Sequence, residues 1–383
     1  MNIENEAAER AVEAIEKCVT PNGLFASGDK GGYTSVWARD SMITMLGASL
    51  YEKKFSRVFR GSIETLAKHQ SALGQIPNCV DLFEPKRRKQ VTFATIDSTL
   101  WFLIGEHAYA HAFGDGSLVR KHADNIERAF LWLKNQDAGE DGMPEQQPTS
   151  DWQDCFPHKY GHVLNTQALY YCALKLYGRG MLAEKIKKTI NGPKGADRAM
   201  FNYSKGFYYP WMWKNHGGVV EQGTWFDSLG NLLAINFGLA DRGKGLAILK
   251  YVERKGINRP YPVRCMYPAL RKGDAEWQPY FTQSLSAKPW WYLNGGIWPF
   301  IGGFYVSALV AARKFKKAEE ELKRLAKANR LGTHSQWEFN EWVNPITGRA
   351  QGGAYQAWSA GGYLFAYSAV RERKVPVFGT VLK

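Results

Sequence analysis

The sequence predicts an all-α fold, a double-layered toroid of six helical hairpins with short loop and hairpin insertions. Two observations carry the prediction: helical periodicity recurs along the 383 residues, and Gly-, Pro- and Trp-rich loops punctuate it. A third is that no comparable series of alternating-period strand segments accompanies them. The first segment, 5–18, sets Ala8, Val12, Ile15 and Val19 on one side. Segments 39–52, 56–72, 95–113, 117–135, 163–177, 180–190, 225–237, 240–254, 298–313, 316–330 and 357–371 follow. Inner helices of such a ring should be apolar and small-residue-rich, and outer ones more charged. Segment 225–237 fits the inner layer, and 316–330, rich in Lys and Glu, fits the outer. A hairpin fits 201–211 or 342–352. No Pro/Ser-rich linker divides the chain, so residues 1–383 read as one domain, and no fixed-length repeat supports an open solenoid.

Composition narrows the function. Formal net charge is 50 − 36 = +14, which raises a nucleic-acid or membrane reading. The basic residues are dispersed, however, apart from Lys86-Arg87-Arg88-Lys89 and short Lys pairs, and no zinc-finger or RNA-binding pattern goes with them. No nucleic-acid partner is expected; the charge suits an acidic substrate or solubility. Cys18, Cys79, Cys155, Cys172 and Cys265 form no CxxC pair. The acidic start Met1-Asn2-Ile3-Glu4 lacks signal-peptide character, and no apolar run of about 20 residues exists. A cytoplasmic protein without a membrane partner is expected. Fourteen Trp and 19 Tyr suit either a Trp-rich core or the aromatic walls of a sugar site.

Acids, aromatics and amides concentrate at loop-to-helix junctions. Trp37, Arg39 and Asp40 open one helix, offering a stacking face and a charged pair for hydroxyls; Asp40 or Ser41 can equally serve as an N-cap. Asp97 and Ser98 open another, beside Trp101. Asp151-Trp152-Gln153-Asp154 puts two carboxylates around a Trp, where burial would raise a carboxyl pKa as a general acid needs. Trp337-Glu338-Phe339-Asn340-Glu341-Trp342 holds a second acid; Glu341 is the pocket candidate and Glu338 a surface one. Trp291, Asn294 and Trp298, around Gly295-Gly296, add stacking faces and close backbone approach, as do Gln356 and Trp358. Two carboxyls far apart in sequence suit glycoside hydrolysis, one protonating the leaving oxygen and the other activating water or attacking the sugar. Metal, nucleotide and serine-hydrolase signatures are absent, so neither a metal nor any cofactor is expected. Asp137–Gly142 resembles a calcium loop but lacks its spacing.

At these residues the chain resembles the (α/α)6-barrel inverting glycosidases, above all the alkaline/neutral invertases. Tyr267-Pro268-Ala269-Leu270, the run 289–299, Glu341, Gly348-Arg349 and 355–359 follow that family in order and approximate spacing. Ser228–Leu232, Arg39-Asp40 and Asp97-Ser98 extend the likeness toward the N-terminus. The stretch around Asp154 looks more like debranching-type glucosidases, and Gly74–Asn78 is similar to a trehalase turn. The resemblance implies an (α/α)6 barrel acting on a small carbohydrate. It implies Asp154 as acid, with Asp151 as its rival, and Glu341 as base. It also sets Arg39, Asp40, Asp97, Trp298, Gln356 and Trp358 in the sugar pocket. Sucrose is the first substrate expected, with short α-glucans, trehalose and glucosyl- or mannosylglycerate as alternatives. An epimerase using His107, His111, His158 or His162, or a non-catalytic sugar-binding barrel, is the competing reading.

Overall fold

A computed structural model describes residues 2–29, 33–82 and 90–378, so the basic run Lys86–Lys89 lies outside the described residues. Helices fall at α1 (Ile3–Glu16), α2 (Ala38–Tyr51), α3 (Ser56–Lys68), α4 (Asp97–Phe113), α5 (Ser117–Lys121) and α6 (Ala123–Lys134). They continue through α7 (Leu164–Leu176), α8 (Gly180–Ile190), α9 (Ser228–Asn236), α10 (Arg242–Arg254), α11 (Pro299–Ala311), α12 (Phe315–Arg330) and α13 (Ala357–Glu372). Each segment expected to be helical is helical over most of its length.

Two layers follow from which helices touch. Helix α2 packs on α4, α4 on α7, α7 on α9, α9 on α11, α11 on α13, and α13 returns to α2. Outside this closed ring, α1 lies on α12 and α13, α3 on α2 and α4, and α6 on α4. Helices α8, α10 and α12 lie on α7, α9 and α11 in turn. The sequence explains the division. Helix α2 is buried without interruption from Ala38 to Ser49, and α11 from Pro299 to Val310, so neither has a solvent face to keep polar. Helix α12 instead buries a stripe, Ala318, Leu322, Leu325 and Ala326, at the i, i+3, i+4 spacing of an outer helix. Where inner helices meet most closely the contact is backbone on backbone. A Cβ on Gly47 would fall on the Gly361 carbonyl, and one on Gly303 on that of Gly362. Any side chain there would wedge α13 away from its neighbours.

Three departures from expectation have local causes. The segment 117–135 is two helices, because His122 leaves the helical region (φ −100°, ψ 20°) and turns its ring to the buried Glu106, Nδ1 to Oε1 2.5 Å. Val19 lies beyond the end of α1 and is 45% exposed, not packed with Val12 and Ile15. Helix α9 begins at Ser228 because Phe226–Asp227 is extended and pairs with Met266–Tyr267. Both expected hairpins form, Phe201–Asn202 with Phe207–Tyr208 and Trp342–Val343 with Ala350–Gln351. Unexpected are two small three-stranded sheets. One joins Val36–Trp37, Cys79–Val80 and Val91–Thr92, the other His162–Val163, Trp211–Lys214 and Val220–Gln222.

These strands position the site. Val36–Trp37 runs straight into α2, His162–Val163 into α7 and Phe226–Asp227 into α9; Trp298 and Gln356 are the N-caps of α11 and α13. The inner-helix N-termini thus share one rim, tied by two-residue ladders. Helix N-termini carry partial positive charge and free N–H groups, which favours carboxylates there. Cys18, Cys155, Cys172 and Cys265 are free thiols. Among the described residues, no helix is long and apolar enough to cross a membrane.

Candidate active site

At this rim a pocket opens between the starts of α2, α11 and α13. It brings together nine residues singled out from sequence: Trp37, Arg39, Asp40, Trp152, Asp154, Trp298, Glu341, Gln356 and Trp358. Three more line it that sequence reasoning missed, Ala26, Tyr33 and Tyr292. The aromatic wall is interlocked. Trp298 meets Trp152 and Trp358 edge to face, with centroids 5.4 and 5.8 Å apart, and Phe300 stacks on Trp358 at 4.2 Å. Such a wall holds its shape and offers apolar faces to a sugar ring.

The two carboxyls differ in setting. Asp154 stands on the loop before α7, its side chain open to the cleft yet set deep in the concave rim. Burial raises its pKa, Arg39 pulls it down, and Asp97 and Asp151 push it up again, for a net rise. Among the described residues no side chain donates a hydrogen bond to it. Glu341 is 6% exposed and held from three directions. The hydroxyls of Tyr33 and Tyr292 donate to Oε1 at 3.3 and 3.2 Å, and the Gly353 N–H donates to Oε2 at 3.3 Å. Burial raises its pKa too, and those donors reduce the rise without cancelling it. Gly352 lies beneath it at φ 74°; a Cβ there would fall on the Glu341 carboxylate.

Glu338 is not a surface residue. It is 2% exposed and staples the loop after α12, accepting from Thr333 N (2.7 Å), His334 N (2.9 Å) and Ser335 N (2.6 Å). Burial alone would raise its pKa, but the converging N–H groups prevail and hold it at about 2.

Arg39 is buried and places its Nη1 3.0 Å from both oxygens of Asp97. Its Nε finds no acceptor among the described residues, nor do Trp37 Nε1, Trp152 Nε1, Gln356 Nε2 and Trp358 Nε1. Buried donors without partners are costly, and a polyhydroxylated ligand would satisfy them. Asp40, at the first turn of α2, is raised to about 6 by burial against the pull of Arg39.

Four residues expected in contact with sugar do not line the pocket. Asp97 backs Arg39. Asp151, wholly buried, pairs with Lys159 Nζ at 2.7 Å. Asn294 is a staple: its side chain bonds the Leu270 N–H and the carbonyls of Leu270 and Ser286. Trp291 packs edge to face on Trp342, 5.1 Å away. The histidines lie elsewhere too. His107 is ten residues into α4 from Asp97, roughly 15 Å along the axis, and His111 is farther. His158 contacts Tyr280 and His162 contacts Asp141. Among the described residues, no cluster of His, Cys, Asp or Glu could hold a metal ion. The stretch resembling a calcium loop closes on itself, Asp137 accepting from the Gly142 N–H at 2.7 Å.

A ring of helices with two carboxyls in an aromatic, donor-rich pocket is an arrangement suited to a sugar. The chain belongs to the GDE_C family, amylo-alpha-1,6-glucosidase, whose profile it matches over residues 31–364. It is also similar to neutral/alkaline invertase 3, chloroplastic, of Oryza sativa subsp. japonica. The two are 33% identical over 331 residues, covering 71% of this chain and 52% of the other. Alkaline/neutral invertase E, chloroplastic, of Arabidopsis thaliana is 28% identical over 326 residues, 71% of this chain and 51% of its own. The chain therefore spans about half the length of these relatives. Among solved structures, the GH63 mannosylglycerate hydrolase of Thermus thermophilus in complex with glucose superposes with a TM-score of 0.68 at 16% identity. That match covers 94% of this chain and 99% of the other, and at this identity it speaks for the fold. The invertase and debranching-type resemblance read from the motifs agrees with the family and the relatives.

Proposed function

We propose that the chain is an (α/α)6-barrel glycosidase that removes a terminal sugar from a small α-glucoside with inversion, residues 1–383 acting as one catalytic unit. The observation that supports this most is the meeting of Asp154 and Glu341, from distant loops, in one aromatic pocket. Asp154, without side-chain donors, is suited to hold a proton and deliver it to the leaving oxygen. Glu341, receiving three hydrogen bonds, is suited to stay ionised and activate water on the opposite face of the ring. Arg39, Asp40, Gln356 and the indole N–H groups of Trp37, Trp152 and Trp358 would bind hydroxyls. Asp97 would act from behind, through Arg39.

Sucrose is the first substrate to try, given the invertase relatives, then short α-glucans and trehalose. A glycerate-bearing substrate is favoured only by fold likeness. Its carboxylate would want a free cation, and among the described lining residues the one cation, Arg39, is already held by Asp97. No histidine at the pocket supports an epimerase. The free thiols of Cys18, Cys155, Cys172 and Cys265 suit a reducing compartment, and we place the protein in the cytoplasm.

The test is sugar release under EDTA from sucrose, trehalose, maltose, isomaltose, maltotriose, glucosylglycerate and mannosylglycerate, with Glu341→Gln alongside. The proposal expects hydrolysis of one neutral glucoside, abolished in the variant. Binding without turnover by the wild type across the panel would instead support a sugar-binding barrel.

A further inference from the structure

Lys159 is a residue the proposed chemistry leaves unused, and it is the one fully buried lysine among the described residues, at 0% exposed. Lysine is almost never fully buried unless paired, and withdrawing its charge from water costs several kcal/mol by general estimate. Its surroundings meet that cost in a specific way. The ammonium lies 2.7 Å from Asp151 Oδ2 and donates to Gln153 Oε1 at 2.8 Å. Asp151 Oδ1 accepts the Gln153 N–H at 2.9 Å, and Gln146 Nε2 approaches Oδ2 at 3.4 Å. The first and ninth residues of the segment 151–159 are thus joined through its third, and Asp154 rides between them. A further carboxylate, the buried Asp227 at the N-terminus of α9, feels the same ammonium. The tie therefore joins the Asp154 loop electrostatically to the adjacent inner helix. The loop's other ties lie after Asp154: Ser284 Oγ donates to Cys155 Sγ at 3.5 Å, Phe156 packs on Phe281 with centroids 4.4 Å apart, and His158 Nδ1 meets the Tyr280 hydroxyl at 2.8 Å; among the described residues no side chain donates to Asp154 itself.

We infer that Lys159 is the positioning residue for the general acid: its buried bonds to Asp151 and Gln153 close the loop that aims Asp154 at the leaving oxygen. The inference rests on the glycosidase reading above. A general acid must lie within hydrogen-bond reach of its oxygen, and an ångström of misplacement removes much of its effect. Glu341 is anchored independently, by Tyr33, Tyr292 and Gly353. Losing the lysine tie should therefore cripple protonation of the leaving group and leave water activation in place.

Leaving-group chemistry separates these outcomes. An ordinary glycoside needs the acid; a glycosyl fluoride, whose fluoride departs with little help, does not. Lys159→Met and Lys159→Arg would be assayed on the best glycoside of the wild type and on the fluoride of the sugar it releases, beside Asp154→Asn and Glu341→Gln. Lys159→Met should lower kcat on the glycoside about 30-fold or more, with KM changed less than about 3-fold and the fluoride rate within about 3-fold of wild type. That is the Asp154→Asn pattern in milder form, and Lys159→Arg should recover part of the loss. Equal loss on both substrates, as in Glu341→Gln, would overturn the inference, as would an unchanged glycoside rate.

If Lys159→Met does not fold, the double variant Lys159→Met/Asp151→Leu removes both charges. Such apolar replacement of a buried pair is often tolerated. It too should lose glycoside activity selectively, and wild-type rates in a folded double variant would overturn the inference. Failure of the wild type on every glycoside and fluoride would count against the glycosidase reading itself, a result distinct from any of these.

Discussion

The two loops that carry the carboxyls solve opposite problems. Around Glu341 the backbone is bent so that donors converge on the carboxylate: Tyr33 and Tyr292 on one oxygen, Gly353 on the other. Three bulky residues nearby adopt left-handed backbone, Trp337 at φ 65°, Phe339 at 45° and Tyr355 at 51°, a conformation that surrounding packing must enforce. Around Asp154 the hydrogen bonds are spent on the loop, through Asp151, Gln153 and Lys159, and among the described residues no side chain donates to the carboxyl itself. On the proposed reading, the base, which must stay charged, is given donors, while the acid, which must keep a proton, is given a rigid mount.

The contrast can be broken most sharply at the carboxyls. Glu341→Gln should cut kcat on glycosides and fluorides alike by about 10³-fold or more, with thermal unfolding unchanged. Asp154→Asn should lose about 10²–10³-fold on glycosides only. Equal sensitivity of the two substrates to both changes would erase the distinction.

Gly352→Ala tests the mount of the base alone. A Cβ at φ 74° would fall on the carboxylate, so kcat should drop about 10-fold or more, with about 1–2 kcal/mol of stability lost in urea unfolding. Activity equal to wild type would show that the carboxylate has room to move.

Tyr292→Phe sharpens the comparison through pH. The hydroxyl lowers the pKa of Glu341. Its loss should raise that pKa, and since the base must be ionised, the acid limb of kcat/KM should move to higher pH. The alkaline limb, set by Asp154, should stay in place.

The smallest effect concerns Glu338, whose folded pKa is about 2 against an ordinary 4.5. A depressed carboxylate adds stability above its unfolded pKa, and this is lost as pH falls through the folded one. Glu338→Gln should therefore destabilise the protein by about 2 kcal/mol at pH 7. The deficit should fade between about pH 4.5 and 2 in urea titrations.

Much of this was legible in the sequence because the signals were redundant. Past their first turns, inner helices such as α2 and α11 carry only apolar and small residues, while α12 has a narrow apolar stripe among charges, so the layer follows from the pattern. The pocket residues at helix starts, Trp37 to Asp40 and Gln356 to Trp358, announced themselves by chemistry out of place beside apolar runs. What stayed hidden depended on backbone twists without a composition signal. In Trp290-Trp291-Tyr292-Leu293-Asn294, Trp290 and Tyr292 take φ of 67° and 50°. Those turns send Tyr292 to Glu341 and Asn294 to the Leu270 backbone, so the motif was visible while its inward residue was not. Tyr33 follows two glycines with no helix to phase it. Glu338 looked exposed because three N–H groups that neutralise its burial come from a loop, which periodicity cannot place.

The division of labour between the carboxyls makes one stereochemical demand. Water activated by Glu341 must arrive opposite the bond that Asp154 protonates, so the sugar must leave with its anomeric centre inverted. Proton NMR of the hydrolysis of an α-glucoside, recorded before mutarotation, tests this directly. The account predicts that the first product seen is the β-anomer. An α-anomer appearing first would mean a covalent intermediate and would contradict the roles assigned to Asp154 and Glu341.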